Sequence, residues 1–243
     1  MQSVLVIDEG NTRTKVGFFP EGAEKVKEVW MWPGRISDDL AHPLPFHLAS
    51  ACIISTVHKE KLIPPGFEEN QVFFADHASP WPFSNAYETP ETLGIDRLAA
   101  VAGGVFHFPN QDFLVMDAGT CITYEWFTNG KYQGGIIAPG RMMRARAMHQ
   151  FTSKLPMAEL EVEVNVPGKN TQAALAAGIL AGTLHEFKGF YRDFISNYPE
   201  GKVIITGGDA SGFENIAECP IFAAPNLILE GLAYTMRQWG NTK

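Results

Sequence analysis

Two turns in this chain carry the residue types that a polyphosphate needs. The first is Asp8-Glu9-Gly10-Asn11-Thr12, which follows the apolar run Ser3–Ile7 and leads through Arg13 and Thr14 to Lys15 at the head of a second apolar run. Gly10 lets the backbone approach a phosphate closely or adopt positive φ, Asn11 and Thr12 add side-chain donors beside exposed N–H groups, and Lys15 adds positive charge. Asp8 at a strand tip would repel a polyphosphate, so its natural task is to hold Mg²⁺, directly or through water. Taken alone, the same residues also suit a plain hairpin turn rich in Gly and Asn. The pattern recurs, however, at Asp117-Ala118-Gly119-Thr120, between the apolar Phe113–Met116 and the alternating Cys121–Phe127. An apolar strand, an acid, a glycine and a returning strand, met twice, point to a duplicated domain with two phosphate-facing turns across a cleft. A third glycine turn, Thr206-Gly207-Gly208-Asp209, ends the run Lys202–Ile205.

A further acid, Asp96, falls where a long aromatic and proline-rich loop (residues 76 to 93) meets a helical pattern, and such junctions often display reactive side chains. Thr89-Pro90-Glu91 reads as an N-cap with Pro in the first turn of that helix. Within the loop, Trp81 and Phe83 read as packing residues. Arg141, Arg144, Arg146 and His149 form either a solvated helix face opposite Met142, Met143, Ala147 and Phe151 or a set that steers an anionic ligand.

The elements that must position these groups are short strands interleaved with helices, an α/β pattern. Strands are expected at Lys25–Trp32, Ala51–Val57, Gln71–Ala75, Lys131–Ile137 and the alternating Glu159–Val164, with a weak helical pattern at 35 to 48. Helices are expected at Arg141–Thr152, from Thr171 through TQAALAAGILAGTLHEFKGFYRDFI, and at Asn226–Trp239. Gly178 and Gly182, one turn apart among alanines, would let another helix approach closely, either in the core or across a subunit contact.

The whole chain bounds the function. It has 243 residues, 45% hydrophobic and 19% charged, an ordinary soluble globular composition. A net charge of -8 argues against a nucleic-acid surface but leaves room for a small anionic substrate. Cys52, Cys121 and Cys219 are too scattered for a zinc cage or a disulfide framework. With no targeting segment and no membrane span in view, a cytoplasmic enzyme or binding protein is expected. Neither a Gly-x-x-x-x-Gly-Lys-Ser/Thr loop nor a Gly-x-Gly-x-x-Gly is present, which argues against P-loop kinases and Rossmann dehydrogenases.

With these residues in place the chain resembles the type III pantothenate kinases of the acetate and sugar kinase, Hsp70 and actin superfamily. The resemblance rests on Asp8-x-Gly10-Asn11-Thr12 with Lys15, Gly94-x-Asp96-Arg97, Asp117-Ala118-Gly119-Thr120, Gly134-Gly135-Ile136-x-x-Pro139-Gly140 and the Asn170-Thr171 helix start, in that order. It implies a duplicated ribonuclease-H-like fold in two α/β domains, residues 1–112 and 113–243, with ATP in the cleft, and a homodimer with substrate near the subunit contact. It implies phosphorylation of pantothenate by ATP, the opening step of coenzyme A synthesis. Asp8, Glu9, Gly10, Asn11, Thr12, Arg13, Thr14 and Lys15 would line the ATP phosphates, and Thr120 would contact ATP. Tyr87, Gly94, Ile95, Asp96, Arg97 and Thr171 would meet pantothenate, and Asp117 would bind potassium or ammonium.

On this reading Asp96 is the general base, since a primary alcohol is a poor nucleophile until a carboxylate accepts its proton. Arg97 would offset negative charge on the ligands or serve a structural ion pair. Two positions depart from the family pattern: Glu9 stands where an aliphatic residue is usual, and Glu125 where the second hairpin usually ends in Asp. An extra carboxylate beside the phosphate turn would weaken ATP binding or alter metal use. Two other readings keep the fold: a ligand-sensing accessory factor without turnover, and another small-molecule kinase of the superfamily.

Overall fold

The computed structural model describes residues 2–35, 46–160, 164–213 and 220–240. The expected helical pattern at 35 to 48, the centre of the Glu159–Val164 run and Cys219 fall wholly or largely outside these residues. The described residues 155–160 and 164–165 that flank that centre carry no strand.

The first sheet is built from β1 (Val4–Glu9), β2 (Arg13–Phe19), β3 (Glu28–Pro33), β4 (Ala51–Thr56) and β5 (Val72–Phe74), in the order β3-β2-β1-β4-β5. β1 runs antiparallel to β2 and parallel to β4, which is parallel to β5. The unbroken apolar run of β1 is explained by burial on both faces. Val4 and Val6 join one core cluster with Phe19, Ala51 and Ile53, while Leu5 and Ile7 join another with Val16, Trp32, Cys52 and Ile54.

After the short β6 (Ser84–Asn85) and α1 (Ile95–His107) comes a second set: β7 (Phe113–Ala118), β8 (Cys121–Thr128) and β9 (Lys131–Pro139), then α2 (Arg141–Gln150) and α3 (Thr171–Asn197). β10 (Lys202–Thr206), β11 (Phe222–Ala223) and α4 (Leu227–Gly240) complete the chain. The second sheet runs β11-β10-β7-β8-β9-β6, with β7, β10 and β11 parallel. Without β6 it repeats the strand order of the first sheet, β7 standing for β1 and β10 for β4. Two copies of one topology bear out the duplication that the recurring turns predicted and the ribonuclease-H-like fold that the resemblance implies.

The compact units do not follow a single cut near residue 112. The first comprises residues 1–111, 125–134 and 226–243, the second 112–124 and 135–225. The closing helix belongs to the first because Leu229, Leu232, Ala233 and Met236 share one face of α4 and fill the cluster of Val4, Val6 and Ile53.

One expectation is corrected by packing. Pro90–Thr92 forms a separate 3₁₀ turn, and α1 begins only at Ile95 with Gly94 as its N-cap. The chain must first extend at Leu93, which is buried. In α3, Leu175, Ile179, Phe187 and Phe194 are core residues, as the periodicity predicts, while Gly178 and Gly182 face no described neighbour, so of the two places expected for their close approach the core is not the one seen.

Candidate functional site

At the C-terminal end of β1 the strand period separates two neighbouring acids. Asp8 continues the Val4–Val6 face and Glu9 the Leu5–Ile7 face. Directly opposed residues share a face, so Asp8 lies with Lys15 of β2 and the buried Ser55 of β4. Glu9 lies on the other side with Thr14 and Thr56. The turn between the strands is closed by the Gly10 N–H donating to the Arg13 carbonyl at 3.1 Å. It is tied to the end of β3 by Gly34 N–H to the Thr12 carbonyl at 3.1 Å and by the buried Thr14 hydroxyl to the Gly34 carbonyl at 2.7 Å. Asn11, Thr12 and Arg13 remain exposed, as a ligand-meeting turn requires.

Glu9 is only 4% exposed, and Thr56 Oγ1 donates to its Oε2 at 2.7 Å while Arg35 Nε lies 3.8 Å from its Oε1. The extra carboxylate is therefore directed away from the Asp8 face and into a polar cluster, which removes the reason to expect it to repel phosphate.

The same unit holds the candidate base. Ile95 of α1 packs against the cluster that contains Val4 and Val6, so α1 covers the sheet face that carries Asp8. Asp96 is the second residue of α1, half-buried, with its Oδ1 accepting the Arg97 backbone N–H at 2.9 Å. An acid in the first helical turn is matched to the orphan N–H groups there. Gly94 leaves room for the Asp96 carboxylate, because a Cβ at that position would displace Asp96 Oδ1.

Arg97 turns inward. Its Nε donates to Glu125 Oε1 at 2.7 Å and its Nη2 to Glu125 Oε2 at 2.8 Å, a bidentate pair with Arg97 6% and Glu125 0% exposed. Tyr132 completes the group: its hydroxyl donates to Glu125 Oε2 at 2.6 Å and accepts from Arg97 Nη2 at 3.0 Å. Burial by itself lowers the Arg97 pKa, but the hydrogen-bonded Glu125 carboxylate more than reverses this, and the guanidinium is held above its ordinary value. Burial and the same carboxylate push the Tyr132 hydroxyl up. Of the two roles open to Arg97, the structural ion pair is the one seen. Tyr87 stacks on Tyr132 with centroids 6.2 Å apart and planes at 10°, and the Arg97 guanidinium lies 5.6 Å from the Tyr87 centroid. Phe83, 6.4 Å from Tyr132 and 6.2 Å from Phe127, continues this aromatic wall, with Trp81 beside it.

In the second unit Asp117 is the penultimate residue of β7, half-buried and opposite Thr206 of β10. Gly119 N–H donates to the Cys121 carbonyl at 3.0 Å and Gly140 N–H to the Thr120 carbonyl at 3.1 Å, leaving Thr120 exposed on its turn. The glycine turn after β10 meets this one. Gly207 has φ +98, where an L side chain is strained, and a Cβ there would strike Asp117 Oδ1 and the Ala118 carbonyl. Thr171 is the exposed first residue of α3, whose N-cap Asn170 accepts from Ala173 N–H at 2.9 Å.

Of the basic residues of α2, Arg141, Arg144 and His149 have structural partners. Arg144 Nη2 donates to Glu186 Oε2 at 2.7 Å and its Nε to the Pro139 carbonyl at 2.8 Å, while the Tyr124 hydroxyl donates to Glu186 Oε1 at 3.2 Å. Arg141 lies 4.3 Å from the Phe213 centroid; Arg146 and His149 are exposed.

Sequence reasoning passed over Tyr132, Thr56 and Arg35, and took Glu125 only as a departure. The available signal was Glu125 itself, an acid inside the apolar run CITYEWF, which requires a buried cation. Among the described residues no group of three or more His, Cys, Asp or Glu side chains is placed to hold a metal, so a cation here would take oxygens from its ligand or the backbone.

Comparison with known proteins identifies the family. The chain is 39% identical over 238 residues to the type III pantothenate kinase of Bacteroides fragilis, covering 94% of this chain and 95% of that one. It is 37% identical over 235 residues to that of Phocaeicola vulgatus, with 94% and 95% covered, and 36% identical over 236 residues to that of Flavobacterium johnsoniae, with 96% of each covered. Among solved structures, a Campylobacter jejuni protein provisionally assigned to the Baf family of transcriptional activators matches at TM-score 0.67 and 21% identity, over 98% and 99% of the two chains. The activator of 2-hydroxyisocaproyl-CoA dehydratase from Clostridium difficile, solved with bound ADPNP, matches at TM-score 0.51 and 12% identity, over 99% and 98%. These two likenesses concern the fold alone. The profile of the type III pantothenate kinase family matches residues 4–193, a span that holds the two acid–glycine turns, Asp96 and the Arg97–Glu125 pair, and the chain belongs to that family.

Proposed function

We propose that this protein transfers the γ-phosphoryl group of ATP to the primary hydroxyl of pantothenate, the first step of coenzyme A synthesis, with Asp96 as the general base. Family membership supports the reaction, and the observation that carries the residue assignment is the placement of Asp96. Its carboxylate stands in the first turn of α1, oriented by the Arg97 backbone N–H, on a helix that covers the Asp8 face of the first sheet.

Asp96 accepts the hydroxyl proton as the substrate oxygen bonds to the γ-phosphorus; the bond from that phosphorus to the β,γ-bridging oxygen breaks, and ADP leaves. The exposed Gly10–Thr12 turn and Lys15 bind and orient the triphosphate, and Thr120 contacts the nucleotide. Tyr87, Gly94, Ile95, Asp96 and Thr171 contact pantothenate, and Arg97 serves them from behind through its buried pair with Glu125. Asp8 would hold Mg²⁺ and Asp117 potassium or ammonium, which would supply charge compensation for the triphosphate. Asp8 fits this task because it shares its sheet face with Lys15 rather than with the Glu9 cluster.

The protein works in the cytoplasm, where ATP is made, and as a homodimer. Supporting the dimer, Ile137, Met142, Met143 and Phe151 are exposed apolar side chains of the second unit, and on α3 Gly178 and Gly182 have no described neighbour within 4 Å of where a Cβ would stand. Among the described residues no helix is long and apolar enough to cross a membrane.

The test is ADP release coupled to pantothenate, with ATP and Mg²⁺, with and without potassium. Asp96→Asn is expected to lose turnover while still binding pantothenate by calorimetry. Full activity in that variant would remove Asp96 from the role of base, and no pantothenate-dependent ADP release by the parent would refute the reaction.

A further inference from the structure

Glu9 stands one residue before the phosphate turn, and its side chain cannot share the Asp8 face. On the far side of the sheet it accepts from Thr56 Oγ1 at 2.7 Å and pairs with Arg35 Nε at 3.8 Å. Both partners are themselves anchored. Thr56 Oγ1 also accepts the His58 N–H at 3.1 Å. Arg35 reaches the Glu60 carbonyl through Nη2 at 3.2 Å and the Glu60 carboxylate through Nη1 at 3.6 Å, and its own carbonyl accepts from the Trp32 indole at 3.3 Å. One buried carboxylate thus joins the ends of β1 and β4 to the segment that follows β3. The backbone repeats the join: Val57 N–H donates to the Glu9 carbonyl at 3.2 Å, and Gly34 N–H to Thr12 on the far side of the turn.

A short loop rich in Gly, Asn and Thr has little of its own to fix its N–H groups. Holding those groups in place before the ligand arrives lowers the ordering cost of binding. We propose that Glu9 is a positioning residue for the phosphate turn: bonded to Thr56 and paired with Arg35 opposite the Asp8–Lys15 face, it fixes the backbone that presents Gly10, Asn11 and Thr12. The inference rests on the reading that this turn meets the ATP phosphates. Glu9 touches no ligand on this account and acts through the strand end that it locks.

The experiment is steady-state kinetics with each substrate varied, on Glu9→Leu, Glu9→Gln, Thr56→Val and Lys15→Ala, beside their melting temperatures. Glu9→Leu is expected to raise KM for ATP about tenfold, the size of losing a hydrogen bond to a charged group, with kcat and KM for pantothenate within about twofold of the parent. Glu9→Gln keeps an acceptor for Thr56 and should recover most of the affinity. Thr56→Val should raise KM for ATP on its own, which keeps the proposal testable if Glu9→Leu folds poorly. A parental KM for ATP in both Glu9→Leu and Thr56→Val overturns it, as does an equal rise for both substrates, which a merely structural role gives. Lys15→Ala separates the two levels. If it raises KM for ATP and the Glu9 and Thr56 variants do not, the positioning role alone fails; if none of them does, the reading of the turn fails.

Discussion

Replacing Glu125 by Gln removes one charge from the middle of the first unit and leaves its shape almost unchanged. Arg97 would then keep its guanidinium at 6% exposure with no carboxylate opposite, and the new amide would turn N–H groups toward a guanidinium that has only donors. Breaking a buried ion pair by removing one partner costs about 3–5 kcal/mol, because the remaining charge stays desolvated. Full burial of the Glu125 side chain places this pair in that class and not among surface pairs, which are worth about 0–1 kcal/mol. For a chain of this size about 1 kcal/mol shifts the melting temperature by about 2–4 °C, so Glu125→Gln should melt roughly 6–20 °C below the parent. The assay is calorimetric melting together with urea unfolding, with the slope of the urea transition unchanged. The triple variant Arg97→Met/Glu125→Leu/Tyr132→Phe removes all three polar partners at once and should regain most of the lost stability. A melting temperature for Glu125→Gln within about 2 °C of the parent would refute the reasoning, since it would mean that the pair is hydrated or dispensable.

Two further outcomes follow from the same geometry. Gly94→Ala is compatible with the local backbone, at φ -60 and ψ 136, but its methyl group displaces Asp96 Oδ1, so kcat should fall by about tenfold or more while the melting temperature moves little. The Tyr124 hydroxyl is pushed up by burial and by Glu186, as Tyr132 is by burial and Glu125. With the folded value above the unfolded value of about 10, the folded state binds more protons in that range. Stability is therefore fully present below about pH 10 and lost as pH rises beyond it; in Tyr124→Phe the fall in urea midpoint between about pH 9 and pH 11 should be shallower than in the parent.

Much of the fold was legible because local chemistry and global topology agree. The apolar runs ending at Asp8 and Asp117 became β1 and β7, the glycine after each made the turn, and their recurrence announced a duplication that the matching strand orders bear out. Strand ends were read less well. The third strand begins at Glu28 and not Lys25, since alternation alone does not say where a partner strand stops. That Arg97 would face inward, that Tyr132 would join it, and that α4 would pack on the first sheet were not in the linear pattern.

By itself, then, the sequence determined the acid–glycine turns, the helix bearing Asp96 and the family to which they belong, because these depend on residues close together in the chain. Only the tertiary structure decided what each charge is for. Glu9 and Asp8 are neighbours in sequence and opposites in space, because successive side chains of a strand point to opposite faces. Arg97 and Glu125 are far apart in the chain and in bidentate contact, because a buried charge must find its counterpart wherever the fold brings one.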